Sequence, residues 1–523
     1  MAENETYNNP VENETYREAA PEEFRAECAK LFDGGRGRLR LMFASDNREA
    51  GEGFCVYAVF SHPGRDHFET VMLKDLKEEG GRITFPSITP EIPAAHWYER
   101  QIADMFGLLP EGHPDPSPLV LHGLYPRGVY PLRRDISHEQ LRKLHDRDRE
   151  DLGPFMEVKG EGIYEIPVGP VHAGIIEPEH FRFSAVGETV YYLDARLFYT
   201  HKGAEKLFEG MGFDEGVKLA ERLSGVSSFA HSAAYCHAVE RMAAVALPLR
   251  ARAVRTFLLE LERLYNHIGD IGNMCAGTGF AVGYAKGALL KERLMGLNER
   301  LTGSRYLRGV NVPGGVLADA LKNPAETLRT VEAITEEYKS FIAFLTGATS
   351  HIERLENAGV LSGDIATALG ATGIAARASG IDDDIRTAHP HLYYGQLVFE
   401  NHTRMKGDVF SRMMLRADEA ACSLAILKSI LHKAKGKRLE GGIALPAVKV
   451  PPMAQALGYV EGPRGSVFYY ARSGADCRPL RVKPRAASFC NWPLMPFAVH
   501  GNIVPDFPLI NKSFNLSYSG SDA

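Results

Sequence analysis

Three stretches of the chain gather residues that can move protons or hold charge. GPVHAGIIEPEHFRF (169–183) carries His172, Glu177 and His180, RLSGVSSFAHSAAY (222–235) carries Ser224, Ser227 and His231, and ATGIAARASGIDDDIR (371–386) carries Arg377, Asp384 and Arg386. Imidazoles titrate near neutrality, and a partly buried carboxyl can be raised toward it, so both serve as acids or bases at pH 7. A serine hydroxyl stays protonated there and is a hard oxygen donor. Each stretch also has a plainer use. Glu177 can be a strand-end carboxylate paired with Arg182 or Arg386, and His231 a satisfied core histidine. Arg377, Asp384 and Arg386 can line a cavity or form a buried structural ion pair, the commoner use of such charges. His267, flanked by apolar residues at helical spacing, reads as helix packing. The seven cysteines, at 28, 55, 236, 275, 422, 477 and 490, include no C-x-x-C pair. That argues against a disulfide framework, a zinc site or an iron–sulfur cluster carried by this chain alone.

The elements that must position these residues follow from periodicity. RLRLMFA (38–44), FCVYAVF (54–60) and HFETVMLK (67–74) alternate apolar and polar residues, which predicts a small antiparallel sheet preceded by one helix, EEFRAECAKLF. Helical spacing over 229–269, 284–305, 324–357 and 401–434 predicts a bundle of long helices. Asn323, Pro324 and Glu326 open the third of these and Gly359 lies past its end. The fold class expected is α+β: a small N-terminal α/β domain and a large, mainly helical domain with a peripheral sheet. Residues 1–20 read as a flexible tail, 21–135 as the first domain, 136–160 as a charged, Pro/Gly-rich linker and 161–523 as the second domain.

Composition removes several function classes. The 523 residues are 45% hydrophobic and 24% charged, a soluble globular profile with room for roughly two to four domains. With 60 Lys+Arg against 66 Asp+Glu the net charge is −6, so no global basic field exists to hold nucleic acid. No run reaches the ~18 apolar residues of a membrane span, and the N-terminus lacks the apolar stretch of a signal peptide. The expectation is a cytoplasmic chain, at most peripheral to a membrane.

Longer strings carry a resemblance. HWYERQIADMFGLLPEGHP (96–114) reads on physics alone as a capped surface helix with local ion pairs among Glu99, Arg100, Asp104 and His113. It also resembles the signature of the thirty-kilodalton subunit of respiratory complex I, departing at Gln101, and that resemblance implies a docking domain without a cofactor. The three chemistry-bearing stretches, with LERLYNHIGDIG (261–272), LNERLTGSRYLRGVN (297–311) and GYVEGPRGSVFYY (458–470), resemble the forty-nine-kilodalton subunit of complex I. They are more similar still to the large subunit of membrane-bound group 4 nickel–iron hydrogenases.

What the resemblance implies turns on four thiolates. The hydrogenases hold their metal with R-x-C-G-x-C-x3-H and a C-terminal D-P-C-x-x-C; here the first motif reads Arg222-Leu223-Ser224-Gly225-Val226-Ser227-x3-His231, and 504–523 contain no cysteine. Soft metals need soft anionic sulfur, so neither a nickel–iron centre nor hydrogenase activity is expected, and no metal is assigned to this chain. Glu177 answers to the proton-relay glutamate, with Glu179 where relatives usually have Gly. His172 opens the H-x3-H loop that touches a quinone headgroup, though Ile176 stands at +4, His180 fits only with an insertion, and a quinone-binding Tyr is replaced by Gly225. The implied catalytic residues are His172, Glu177 and His231; His180, Ser224, Ser227, Arg377, Asp384 and Arg386 are the implied cavity residues. The implied role is a peripheral subunit of a membrane-attached oxidoreductase on the inner side of the cell membrane. It would take electrons from an iron–sulfur small subunit and pass them to a quinone-like or other acceptor beside antiporter-like and other integral membrane subunits. The alternative is a non-catalytic scaffold of the same complex.

Overall fold

The computed structural model describes residues 6–8, 12–122, 125–126, 128–144, 155–172 and 176–523. A five-stranded sheet opens the chain, in the order β1 (Thr6–Asn8), β2 (Glu14–Glu18), β5 (Phe68–Leu76), β4 (Gly53–Ser61) and β3 (Arg38–Asn47). The alternating segments form the antiparallel β3–β4–β5 part as expected, and β2 adds to β5 in parallel. Helix α1 (Pro21–Phe32) starts with proline and two glutamates in its first turn. It buries Phe24, Cys28 and Phe32, four residues apart, against the sheet. A smaller sheet joins β6 (Glu78–Glu79), β7 (Arg82–Pro86) and β8 (Leu108–Glu111) around α2 (His96–Phe106), which Gly107 ends in the left-handed conformation.

Two expectations for this unit need correction. Residues 14–18, assigned to a flexible tail, form β2, because Glu14 is ion-paired with Arg241 of the second domain and accepts from Leu457 N–H at 3.1 Å. Helix α2 is no surface helix. Glu99 is buried and accepts from Ser87 Oγ, Ile88 N–H and Thr89 Oγ1 at 2.6–2.7 Å. Asp104 accepts from three consecutive N–H groups, Leu119 to Leu121.

Of the predicted linker, 145–154 lie outside the described residues. Its start forms α3 (His138–Arg142), closed by a Ser137/Gln140 capping box, and its end seats Phe155 against Arg182 and Arg196, 3.8 and 3.6 Å from the ring centre. The second domain begins with the antiparallel sheet β9 (Ile163–Val168), β10 (His180–Val186) and β11 (Thr189–Arg196) and the short helices α4 (Ala204–Phe208) and α5 (Phe213–Ala220). The bundle follows. The run 229–269 divides into α6 (Ser228–Met242) and α7 (Leu249–Gly277), because Ala244 takes a positive φ and Pro248 precedes α7. Helix α8 (Ala281–Thr302) packs on α7. After the two-residue strands β12 (Asn311–Val312) and β13 (Gly315–Val316), α9 (Pro324–Thr346) stops at Gly347, short of the predicted end, and α10 (Thr349–Leu355) restarts. The short helices α11 (Gly363–Ala368), α12 (Gly373–Ala378) and α13 (Ile385–Ala388) lead to α14 (Val409–Lys435), which packs on α7 and α9.

The meander β14 (Gln455–Gly462), β15 (Gly465–Ser473) and β16 (Pro479–Arg485) lies against α6. Gly458 permits the approach, since a Cβ there would come 2.1 Å from Ala234 O. The chain closes through α15 (Ala487–Asn491), α16 (Met495–Val499), α17 (Phe507–Phe514) and α18 (Tyr518–Asp522). Helix α7 is buried without a break from 253 to 268, the mark of a core helix.

The N-terminal unit is fastened to the second domain. Phe43 and Tyr57 pack against Tyr470, Arg472 grips Glu52, and Lys483 reaches Gln101. Arg40 makes a two-pronged pair with Asp383 at 2.6 and 2.7 Å, both side chains below a tenth exposed. Removing one partner of such a buried pair strands the other's charge. Asp383→Ala should therefore lower unfolding stability by about 3–5 kcal/mol in denaturant titration, and Arg40→Met with Asp383→Leu should recover most of that loss.

Candidate functional site

The serine turn is held from behind. Ser227 is the N-cap residue of α6 but its side chain makes no cap bond; the free N–H groups of Phe229 and Ala230 donate instead to the Glu262 carboxylate of α7, at 2.8 and 2.9 Å. One turn further along α7, Asn266 donates to Val226 O at 2.9 Å. His231 follows on the first turn of α6, its Nδ1 2.9 Å from the Tyr469 hydroxyl. Burial, reinforced by Lys202 and Arg485, pushes its pKa down to about 3, so at neutral pH it is an uncharged hydrogen-bonding group.

The C-terminal segment closes the other side. Ser224 Oγ donates to Ser517 Oγ at 3.4 Å, and a Cβ on Gly520 would come 3.0 Å from Ser224 Cβ and 2.9 Å from Ser517 Oγ, so that position takes no side chain. Ser224, Ser227, Ser517 and Gly520 therefore lie in one small region. Beside it is a cavity bounded by Tyr98, Leu223, His231, Arg485, Gly520 and Ser521, of about 10 Å³. That is roughly the least space that holds a single water.

Around α18 sits a group of carboxyls. Glu177 accepts from Ser519 N–H at 2.9 Å, pairing with neither Arg182, which binds Glu165, nor Arg386. Asp522 accepts from Phe198 N–H, Thr200 N–H and Thr200 Oγ1, and burial raises it to about 6. Glu179 is buried; burial, with Glu177 and Asp522 adding and Tyr518 opposing, raises it to about 7. Lys202 is the cation among them, donating to Ser519 O at 2.5 Å, and its own pKa is lowered by burial. His172 is bound to Glu179: its Nε2 lies 2.9 Å from Glu179 O and 3.1 Å from the Glu179 carboxylate. His180 lies at the start of β10, its Nδ1 donating to Gly169 O at 3.2 Å.

Against known families, residues 276–445 and 442–523 match the respiratory-chain NADH dehydrogenase 49 Kd subunit, and residues 18–141 match its 30 Kd subunit. Hydrogenase-4 component G of Escherichia coli (strain K12) is 36% identical over 93% of this chain and 84% of the relative. Formate hydrogenlyase subunit 5 of the same organism is 35% identical over 93% and 85%. This chain belongs to the family of fused complex I-type subunits. The C/D subunit of NADH-quinone oxidoreductase from Phocaeicola vulgatus (strain ATCC 8482) is 28% identical over 90% and 92%. Among solved structures, a chain of the membrane-bound sulfane sulfur reductase, an archaeal respiratory membrane complex, superposes with a TM-score of 0.64. It is 28% identical and matched over 69% of this chain and 99% of its own length.

Within this family fold, Arg377, Asp384 and Arg386 lie apart from the serines, in a dry charge cluster. Arg386 grips Asp384 at 2.8 and 3.0 Å, and Arg377 reaches Glu419 and Glu461. His267 is bound to Glu419 at 2.9 Å, so its helix-packing position is also a polar one. The sequence reading missed Glu262, Asn266 and Asp270, which run four residues apart along α7. Asp270 and Arg464 bind Asn515, just before α18, so the same stripe anchors both halves of the site. The signal was available: polar residues recurring every four positions along a helix whose other faces are also buried require partners. Ser517, Asp522 and Lys202 had no such pattern.

Glu262→Ala leaves two α6 N–H groups buried without an acceptor, each worth about 1–3 kcal/mol. The expected result is a loss of that order in denaturant unfolding, with faster amide exchange over 228–231. Glu262→Gln, which keeps one acceptor oxygen, should lose less.

Proposed function

We propose that this chain is a peripheral subunit of a membrane-attached complex I-like assembly. It passes electrons from an iron–sulfur partner subunit to a small acceptor at a site that is not a nickel–iron centre. Family membership supports the assembly, and the convergence of Ser224, Ser227, Ser517 and Gly520 supports the chemistry. The stretch Asn515-Leu516-Ser517-x-x-Gly520 has the spacing of the hydrogenases' D-P-C-x-x-C, with both thiolate positions occupied by other residues. Three protonated hydroxyls and a glycine do not suit nickel or iron, which need anionic sulfur. A quinone-like molecule is one class of acceptor. The solved relative named for sulfane sulfur supports a sulfur species as a second.

An acceptor gaining electrons needs a proton close by. Glu179, raised to about 7, is part protonated at neutral pH and neighbours Glu177, which binds the backbone of α18. In this reading Glu177 and Glu179 supply protons, His172 holds Glu179, and neutral His231 offers a hydrogen bond. No helix among the described residues is long and apolar enough to cross a membrane. Attachment on the inner face would therefore run through membrane subunits, antiporter-like ones among them. The non-catalytic scaffold is the second reading, favoured by a cavity too small for any acceptor as it stands.

The test uses the intact complex. Elemental analysis should find no stoichiometric nickel, and neither hydrogen uptake nor evolution should occur; one nickel per chain sinks the proposal. Reduction of a quinone analogue or of polysulfide should fall roughly ten- to hundred-fold in Glu177→Gln and Glu179→Gln, at or below the lower end for a lost general acid. Turnover unchanged in both, with normal assembly, would transfer support to the scaffold.

A further inference from the structure

Behind the serine site, four carboxylates and three guanidiniums close into a ring. Arg386 joins Asp384 to Glu260, at 2.8 and 3.1 Å, and Arg263 lies 3.5 Å from both Glu260 and Glu419. Arg377 joins Glu419, Asp384 and Glu461, at 2.7, 3.4 and 2.9 Å. His267 hangs on Glu419. None of these eight side chains is more than 2% exposed, so water cannot absorb an imbalance.

Within ion-pair distance these four acids meet three arginines. Arg485 faces the ring from further out and bonds Cys490 Sγ and Ser466 Oγ instead of a ring carboxylate, so one acid is left short of a close partner and a proton makes up the difference. His267 does not supply it, because its Nε2–H already serves Glu419 and its buried Nδ1 faces no acceptor that a second N–H could use. The acids differ in how well they are met. Glu419 has Arg377, Arg263 and His267; Asp384 has the Arg386 fork and Arg377. Glu260 has Arg386, Arg263, the Tyr394 hydroxyl at 2.6 Å and the Ser423 hydroxyl at 2.5 Å. Glu461 has a single 2.9 Å bond from Arg377 Nη1, a nitrogen that also serves Asp383 O, and a remote Ile385 N–H at 3.4 Å. We propose that Glu461, the acid of the ring with the fewest close donors, is a proton-binding site.

The electrostatics agree. Burial and Asp384 raise Glu461 to about 7 against the pull of Arg377 and Arg263. The groups that face it come from α7 (Arg263), α12 (Arg377), the turn before α13 (Asp384) and β16, whose Arg485 is held more basic partly by Glu461. Arg485 also lines the cavity beside His231. Charge arriving in that cavity is therefore felt at Glu461. Its use as a compensating proton rests on the proposed acceptor chemistry, while the proton itself is tested without turnover.

A carboxyl raised in the folded state stabilises fully below its unfolded pKa and loses that contribution as pH rises through the folded value, here about 7. Unfolding the full chain near pH 6 should accordingly release about one proton more than unfolding Glu461→Gln, read from the difference in the pH slopes of stability. The infrared carbonyl band of an un-ionised acid should be weaker in the variant by one group. Equal slopes and equal bands overturn the proposal, as does a change produced by His267→Gln in place of Glu461→Gln. Should Glu461→Gln fail to fold, Glu461→Asp keeps the acid with a shorter reach and should move the midpoint of the titrating band; an unmoved midpoint counts against the site.

Discussion

Charge that cannot reach water governs this molecule. Helix α7 runs through the core and still carries Glu260, Glu262, Arg263, Asn266, His267 and Asp270, all buried. Each needs a partner close by, because an unpaired buried charge costs several kcal/mol. The partners come from α6, α13, α14, β14, the turn after β14 and the segment before α18, and those requirements fix where each element sits. Apolar packing alone would tolerate small slides of one helix along another. A helix that must meet Glu262 with its first N–H groups and a loop that must offer Val226 O to Asn266 have no such freedom.

The serine turn and the C-terminal segment thus face each other as a consequence of α7, and the polar group around α18 follows. Glu177, Glu179 and Asp522 share a partly dry space in which Lys202 acts on Glu177 and Asp522, and burial brings Glu179 and Asp522 near neutrality. His231, a few ångströms from Tyr469, is driven the opposite way by the same burial. One environment raises two acids toward neutrality and keeps a base uncharged beside them, a setting in which a proton can be taken up or released near pH 7.

Much of the fold was legible. Alternation gave β3, β4 and β5, and helical spacing gave the bundle, because both record which face is buried. The breaks at 243–248 and at Gly347 were not, since local chain reversals depend on packing that periodicity does not encode. Strand β2 was hidden for a clearer reason: ETYRE has one apolar residue, Tyr16, and is held by Glu14 binding Arg241, 227 residues further along the chain. In the site, the positions of Ser224, Ser227 and His231 could be read from motif spacing. The turning of His172 toward Glu179, and the role of Asp522, arise from tertiary contacts that leave no local trace.

The Arg40–Asp383 pair spans 343 residues, and this has a meaning for synthesis. On a ribosome adding about 5–20 residues per second, Arg40 emerges roughly 17–70 seconds before the carboxylate that neutralises it. During that interval the face of the first sheet carrying Phe43 and Tyr57 has nothing to cover it, and its arginine must stay hydrated. The contact face of the N-terminal unit is therefore finished last. It completes only when the last strands, β14 to β16, are available, so the nascent chain presents an aromatic, sheet-edged surface for most of its production and depends on whatever shields such surfaces in the cell.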